Sequence, residues 1–288
     1  MYGRIMRCVA CSPARVSVQT GMSGKPMRFI SVVATLSGLI STLVGGASLP
    51  SPASAQEQPR AAIADKPQLR AVLELFTSQG CSSCPAADAL LEKYAARKDL
   101  IALSFPVDYW DYLGWKDTLA NPKFTARQKY YAKHRGDGRV YTPQMVVNGL
   151  NHVVGSSAKE IDQAIDTTAP TFAKALVPIS VKVDGGRLVI EAGAAVPGAE
   201  PSKDATVWLA VIQSSAEVMV RSGENRGKTL RYLNVVREMT PVGMWSGKTL
   251  TIQLEREAVK LPETDSAAIL IQTSKGGPIV GAALIPKL

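Results

Sequence analysis

The sequence predicts an α/β domain over residues 69–170, followed by a mostly antiparallel, β-sandwich-like domain over residues 177–288. Two observations support this division. An apolar run, an amphipathic segment and a second apolar run follow one another near the start of the first region, and this strand–helix–strand order implies parallel strands. After Pro170 the pattern changes, because short runs of alternating apolar residues replace any convincing helix.

The elements of the α/β domain follow from hydrophobic periodicity and turn signals. The predicted strands are Leu69–Phe76, Ile101–Phe105, Gln144–Val147 and His152–Val154, and the predicted helices are Ala86–Lys98, Pro122–His134 and Ala158–Ile165. An Asn148-Gly149 turn signal separates the third strand from the fourth and predicts that they pair back on each other.

The β-rich domain is predicted from about eight short apolar-alternating runs. These runs are Ile179–Val183, Arg187–Glu191, Thr206–Gln213, Val218–Arg221, Thr229–Arg237, Thr249–Leu254, Ala267–Gln272 and Ile279–Leu284. Asp184-Gly185-Gly186 lies between the first two and predicts a tight hairpin. Such a series of short strands is typical of a small antiparallel sandwich.

Residues 1–55 are predicted to be a secretory signal region that is removed. Met27-Arg28 precedes an apolar run, Phe29–Leu49, and the small-residue site Ala53-Ser54-Ala55. The alternative is a retained membrane anchor, since the run is about long enough to span a bilayer, but the prolines before the small-residue site favour cleavage. Met27 is a candidate for the true start, and residues 56–68 are predicted to be a linker. We therefore expect a periplasmic or secreted protein with no membrane anchor after cleavage.

Cleavage changes both the charge and the cysteine content. The removed segment carries five basic residues and no acidic ones, so the formal net charge falls from +9 to +4. No basic stripe interleaved with aromatic residues is present, and we expect no nucleic-acid partner. Cys8 and Cys11 are also removed, which leaves Cys81 and Cys84 as the cysteines of the mature chain.

The pair Cys81-Ser82-Ser83-Cys84 is the predicted reactive site, because it follows an apolar strand and opens a helix. Free N–H groups and the helix dipole favour a thiolate at this place. Cys81 would attack a disulfide, and Cys84, one turn further on, would resolve the mixed disulfide. The dithiol itself is the redox centre, so no organic cofactor is implied.

Three other uses of this pair stay open. A structural disulfide is one, although a loop this short gives little entropic stabilisation. Copper(I) bound by the two thiolates of Cys81 and Cys84 is another; zinc would need two further ligands, for which the sequence offers only His134 and His152 as imidazoles. Two buried reduced thiols are the third, which an oxidising compartment disfavours.

Two segments, Glu74–Pro85 and Thr142–Gly149, resemble the thioredoxin superfamily. The resemblance implies a cis-proline at Thr142-Pro143, just before the strand that faces the dithiol, where the preceding backbone can pair with a substrate chain. The alternative is an ordinary trans-proline at a strand entrance. The resemblance also implies a buried acid that shuttles the proton of the resolving cysteine, and Glu74 is the acid on the strand that leads to Cys81. The alternative for Glu74 is an outward-facing carboxylate or one that is paired with a Lys or Arg.

The same segments, with Val107–Trp115 and Phe124–Gln128, resemble a family of exported bacterial proteins of unassigned function. That family combines a thioredoxin-like domain with a β-rich C-terminal part, in which Gly223–Asn225 and Asn234–Glu238 also fit. The resemblance covers nearly the whole mature chain and implies the fold, but it implies no particular activity.

The stretch between Phe105 and Tyr141 is longer and richer in aromatic residues than in ordinary thioredoxins. Trp110, Tyr109 and Asp108 are predicted to bind substrate, since aromatic rings beside a dithiol suit an extended chain. The alternative is that the aromatic residues fill core and the aspartates cap helix ends. For the polar segment 221–228 we favour an ordinary hairpin turn over an interaction loop.

The predicted function is thiol–disulfide exchange on protein or peptide thiols. A redox partner protein is expected to exchange electrons with the dithiol. The predicted catalytic residues are Cys81, Cys84, Thr142, Pro143 and Glu74. Two other functions stay open: copper(I) binding or handling by the same two thiolates, and a non-enzymatic adaptor whose disulfide is vestigial.

Overall fold

The strand that leads to Cys81 lies inside the sheet and pairs in parallel with the next strand of the chain. In the computed structural model, which describes residues 68–197 and 204–288, the first elements are β1 (Ala71–Thr77), α1 (Cys84–Ala95) and β2 (Leu100–Pro106). β1 and β2 pair in parallel, as predicted, and every residue of both strands is buried, which is typical of strands covered on two faces. The predicted signal region and the linker up to residue 67 lie outside the described residues.

The next elements complete the first half of the chain. They are α2 (Pro122–Arg135), β3 (Gln144–Val147), β4 (Asn151–Val154) and α3 (Ala158–Ala175). β3 is antiparallel to β1 and to β4, so the predicted return across the Asn148-Gly149 turn is confirmed. α3 extends past its predicted end and through Pro170. Its buried face continues to Phe172, and burial of that ring offsets the hydrogen bond that proline removes.

The second half of the chain is mostly strand. Its elements are β5 (Ile179–Asp184), β6 (Arg187–Ala192), β7 (Ala205–Met219), β8 (Thr229–Trp245), β9 (Leu250–Glu255), α4 (Arg256–Val259), β10 (Ser266–Thr273) and β11 (Ile279–Ile285). The predicted hairpin between β5 and β6 is confirmed. β7 merges two predicted runs into one long strand, because the mostly polar stretch Ser214–Glu217 separates the two apolar runs in the sequence although the backbone stays extended through it. The short helix α4 was not predicted.

The two halves of the chain share one sheet. Its eight strands run in the order β11-β10-β7-β8-β2-β1-β3-β4, and β5-β6-β9 form a second, antiparallel sheet. β8 joins β2 in parallel through the pair Ser104 and Val235. The fold is therefore a mixed α/β structure with a large mixed sheet and a smaller antiparallel one, and residues 68–288 belong to one compact unit where they are described.

The two faces of the large sheet carry different cores. Leu73 and Leu75 of β1 pack with residues of α1 and α3, whereas Phe76 packs with residues of α2 on the other face. Successive residues of a strand point to opposite faces, so Glu74 lies on the α2 face and not on the face of the cysteine helix. Within the described residues, no helix is both long enough and apolar enough to cross a membrane.

Candidate functional site

Cys81 and Cys84 form a disulfide at the amino end of α1, with their Cα atoms 5.4 Å apart. Both residues are buried, with 1% of Cys81 and none of Cys84 exposed, whereas Ser82 and Ser83 between them are exposed. The Cys84 N–H donates to the Cys81 carbonyl at 3.2 Å and closes the turn. Access to the disulfide is therefore controlled by the segments that pack around Cys81.

Gln79 anchors the loop that precedes Cys81. Its side chain is fully buried, and its Oε1 accepts a hydrogen bond from Trp115 Nε1 at 2.8 Å. The Gln79 N–H donates to Asp117 Oδ2 at 2.7 Å. Burial raises the pKa of Asp117, and the hydrogen bond from Gln79 opposes this shift. The segment between β2 and α2 thus fixes the loop through a single glutamine.

Trp110 connects this loop with the Thr142-Pro143 segment. Its Nε1 donates to Thr142 Oγ1 at 2.7 Å. A Cβ atom at Gly80 would lie 2.9 Å from Trp110 Cβ, so this approach requires a glycine immediately before Cys81. The peptide bond between Thr142 and Pro143 is cis, which confirms the prediction for this bond. The structure therefore brings Trp110, Thr142 and the cysteine loop together.

The other two predicted substrate residues are differently placed. Tyr109 packs against Trp110 with ring centroids 6.3 Å apart, and burial raises the pKa of its hydroxyl to about 12. Asp108 accepts a hydrogen bond from Thr125 Oγ1 at 2.5 Å, so its carboxylate is bound to α2. The substrate-binding roles of Trp110, Tyr109 and Asp108 stay predictions, and Trp110 has the position that suits the role best.

Glu74 is not brought to the dithiol. It is fully buried on the α2 face, where both of its oxygens accept hydrogen bonds at 2.7 Å from the Arg127 guanidinium. Tyr131 Oη donates to it at 2.8 Å. This is the paired arrangement that the sequence left open as the alternative to a proton shuttle, because a bidentate ion pair uses the carboxylate for structure.

The buried acid on the cysteine helix is Asp88, which sequence reasoning missed. It lies one turn after Cys84 and is 6% exposed, and neither carboxylate oxygen has a hydrogen-bond partner in the part of the chain that the structure describes. Burial raises the pKa of Asp88 to about 8, the nearby Thr77 hydroxyl opposes the shift, and Asp117 adds to it. The available signal was a carboxylate four residues after Cys84, on the apolar stripe of an amphipathic helix.

The segment 221–228, which we call the clamp loop, lies against the dithiol. Asn225 is fully buried, and its Nδ2 donates to the carbonyls of Gln79 and Cys81, both at 2.9 Å. Glu224 Oε2 accepts the Ser82 N–H at 3.2 Å. The sequence favoured an ordinary hairpin turn here, and the structure instead makes this turn part of the site. Its one signal in the sequence was the family resemblance at Gly223–Asn225.

The metal-binding alternatives gain no further ligands from the surroundings. Across residues 68–197 and 204–288, no group of three or more His, Cys, Asp or Glu side chains could hold a metal ion. His152 is engaged by Tyr141 Oη at 2.9 Å and by Asp137 Oδ2 at 3.0 Å. Burial lowers the pKa of His152, so its imidazole is mainly neutral at pH 7.

A separate cavity of about 500 Å³ lies on the α2 face of the large sheet. Phe124, Tyr130, Trp208 and Met239 line it together with the buried Arg127. The cysteines are not among its lining residues, so this cavity and the dithiol are two different places in the fold.

The comparisons with known proteins agree with this architecture. An X-ray crystal structure of a protein from Agrobacterium tumefaciens is similar, with 36% sequence identity and a TM-score of 0.66, over 76% of this chain and 94% of that chain. HBP35 of Porphyromonas gingivalis shares the fold at 12% identity, with a TM-score of 0.52 over 76% of each chain. No curated protein matches the sequence. The model of a family described as protein of unknown function (DUF1223) matches residues 72–272, and the chain therefore belongs to the DUF1223 family.

Proposed function

We propose that this protein is an exported thiol–disulfide oxidoreductase that acts on protein or peptide thiols through Cys81 and Cys84. The observation that carries the proposal is the disulfide at the amino end of α1, with Trp110 linking the cysteine loop to Thr142 beside it. A helix start of this kind stabilises a thiolate, which is the nucleophile in disulfide exchange.

The proposed reaction moves two electrons and two protons between the protein and its substrate. In the direction of substrate oxidation, a substrate thiolate attacks the disulfide, the bond between Cys81 and Cys84 breaks, and a mixed disulfide forms on Cys81. Cys84 leaves as a thiolate and takes up a proton. A second substrate thiolate then attacks the mixed disulfide, which releases the oxidised substrate and leaves both cysteines reduced. Substrate reduction is the same sequence run backwards.

Asp88 supplies a proton donor and acceptor for Cys84 in this proposal. Its pKa of about 8 places both protonation states within reach near neutral pH. It takes the role that the sequence assigned to Glu74, and it does so from the helix that carries the cysteines rather than from the strand. The Tyr232 hydroxyl lies near Asp88, and burial raises its pKa, so it stays neutral.

The finer fold assignment belongs to the same proposal. The βαβ unit with its dithiol at the helix start, and the Thr142-Pro143 segment at the entrance of β3 next to β1, support a thioredoxin-like region. The second sheet and the inner faces of β7 and β10 bury a common core, which supports a sandwich-like C-terminal region. In this proposal the C-terminal region recruits or orients a partner.

The decisive experiment traps the mixed disulfide. The full chain with Cys84→Ala, expressed in its native compartment, should form a covalent adduct that a reductant releases, because nothing remains to resolve it. A matched variant with both Cys81→Ala and Cys84→Ala should form none. Mass spectrometry of the released partner would identify the substrate.

Two outcomes would contradict the proposal. A reduction potential of the dithiol below about −300 mV, the range of inert structural disulfides, would assign Cys81 and Cys84 a structural role. Stoichiometric copper(I) uptake that Cys84→Ser abolishes, without any exchange activity, would assign the same thiolates to metal handling.

A further inference from the structure

The clamp loop brings a carboxylate to the dithiol from the distant half of the chain. Glu224 accepts the backbone N–H of Ser82, which lies 142 positions earlier in the sequence. Its neighbour Asn225 is fully buried and donates to the carbonyls of Gln79 and Cys81. The two hydrogen bonds of Asn225 fix the backbone of the clamp loop against the cysteine loop. Asn225 therefore determines where the exposed Glu224 lies.

The loop is shaped for this contact. Gly223 and Gly227 adopt positive φ angles of 77° and 80°, and the side of Gly223 that would carry a Cβ faces Trp115. Lys228 Nζ donates to Asn225 Oδ1 at 3.0 Å. That hydrogen bond holds the amide with its nitrogen toward the two carbonyls, so the orientation of Asn225 is specified at both ends.

The Ser82 N–H lies directly before the N-cap of α1, Ser83, and the helix start that follows has unpaired N–H groups and a dipole that stabilise an anion. Reduced Cys81 would draw on the same groups for its thiolate. Glu224 already places a carboxylate next to this helix start, on the N–H of the residue directly after Cys81. Two negative charges at one helix end repel each other, so the thiolate is less stable beside Glu224 than beside a neutral side chain.

Other titratable groups surround the dithiol and must be considered with Glu224. They are Asp88 on α1, Asp117 before α2, Tyr232 on β8 and Lys228 in the clamp loop. Burial raises the pKa of Asp88 to about 8 and holds that of Tyr232 well above its ordinary value, so both are mainly neutral at pH 7. Lys228 is bonded to the Asn225 amide rather than to a cysteine.

We propose that Glu224 lowers the thiolate fraction of reduced Cys81, and that Asn225 is the positioning residue that keeps Glu224 and the cysteine loop together. This inference rests on the proposed function, since it concerns the nucleophile of that reaction. Its consequence is that the C-terminal half of the chain sets the reactivity of a dithiol that lies in the N-terminal half.

The test measures the alkylation of Cys81 in the reduced full chain as a function of pH. Iodoacetamide is the probe, and mass spectrometry of the peptide that carries Cys81 keeps Cys8 and Cys11 out of the readout. Glu224→Gln should increase the alkylation rate of Cys81 about two- to fivefold at pH 7 and move the midpoint of the pH profile down by about half a unit. Glu217→Gln removes the same charge from the exposed face of β7 and should leave the profile unchanged.

A second variant tests the positioning role. In a background of Asn225→Ala, the substitution Glu224→Gln should change the rate much less than it does in the wild type, because the carboxylate is no longer held at the helix end. A profile of Glu224→Gln that overlays the wild type, or a shift of equal size in Glu217→Gln, would overturn the proposal, and neither reading needs the Asn225 variant to fold.

The same data separate this inference from the proposed function. Trapping of substrate by Cys84→Ala together with no effect of Glu224→Gln would reject the role of Glu224 and keep the exchange activity. A shifted alkylation profile without any trapped substrate would keep the role of Glu224 and reject the exchange activity.

Discussion

Replacing Asp88 with Asn should make the protein more stable at neutral pH and leave it nearly unchanged at pH 4. The carboxyl is 6% exposed, and neither of its oxygens is hydrogen bonded within the described part of the chain. Burial raises its pKa to about 8, whereas an aspartate in the unfolded chain titrates near 3.9. Between these two values the folded protein binds a proton that the unfolded chain has released.

The sign and size of the effect follow from this difference in bound protons. A raised carboxyl pKa means that stability falls as the pH rises from about 4 to about 8, by about 1.4 kcal/mol per pH unit for one group, and that the loss is complete above pH 8. At pH 7 the accumulated loss is about 4 kcal/mol. Asn has the same shape and does not titrate, so Asp88→Asn avoids this loss while keeping a polar group of similar size in place.

Urea unfolding of the oxidised proteins at several pH values between 4.5 and 9 would measure the difference. The free energy of unfolding of Asp88→Asn minus that of the wild type should grow with pH up to about 8 and then level off. Asp184→Asn changes an exposed carboxylate at the end of β5 and serves as the control. A constant difference between Asp88→Asn and wild type at every pH would refute the argument, because it would show that Asp88 has the same pKa in both states.

Three further substitutions test other contacts of the fold by urea denaturation. Arg127→Leu leaves the buried charge of Glu74 without its partner and should lower the free energy of unfolding by about 3–5 kcal/mol. Replacement of both residues by leucine should recover part of this loss, and an equal loss in the double variant would contradict the ion-pair argument. Trp110→Phe removes the hydrogen bond to Thr142 and should cost about 1 kcal/mol of unfolding free energy. Adding Thr142→Val to this variant should cost little more, because the bond is already lost; fully additive losses would contradict a hydrogen bond between the two side chains. Gly149→Ala places a side chain at φ 66° with its Cβ 2.8 Å from a facing carbonyl and should cost at least about 1 kcal/mol, so a neutral result would contradict the turn geometry.

Local patterns predicted the part of the fold around the cysteines. The strand before Cys81, the helix after it and the parallel return of the next strand could be read from periodicity, since each is a short segment with a strong pattern. The long strand β7 could not be read as one element, because the mostly polar stretch Ser214–Glu217 interrupts its apolar pattern. The pairing of β8 with β2 could not be predicted either, because a contact between residues as distant as Ser104 and Val235 leaves no local signal in a single sequence.

The placement of the cysteine pair was predicted from adjacent residues, whereas the contacts of Asn225 and the partners of Glu74, which depend on distant residues, were missed. Cys81 and Cys84 lie where their motif placed them. Glu74 was assigned by its position on the strand, but the direction in which a strand residue points follows from the whole sheet, and the α2 face supplies Arg127 instead. Asn225 could not be assigned from the residues alone, since its partner Gln79 is 146 positions away in the sequence.

From that separation we also expect an order of folding events. Gln79 and Cys81 are synthesised long before Asn225, so the nascent chain presents both cysteines without the residues that cover them in the finished structure. Contacts of such high sequence separation form late, because a long loop must close before they contribute. We therefore expect the two thiols to be accessible to oxidants and to other disulfides at an early stage, and to acquire their buried surroundings only when the last third of the chain has joined the sheet.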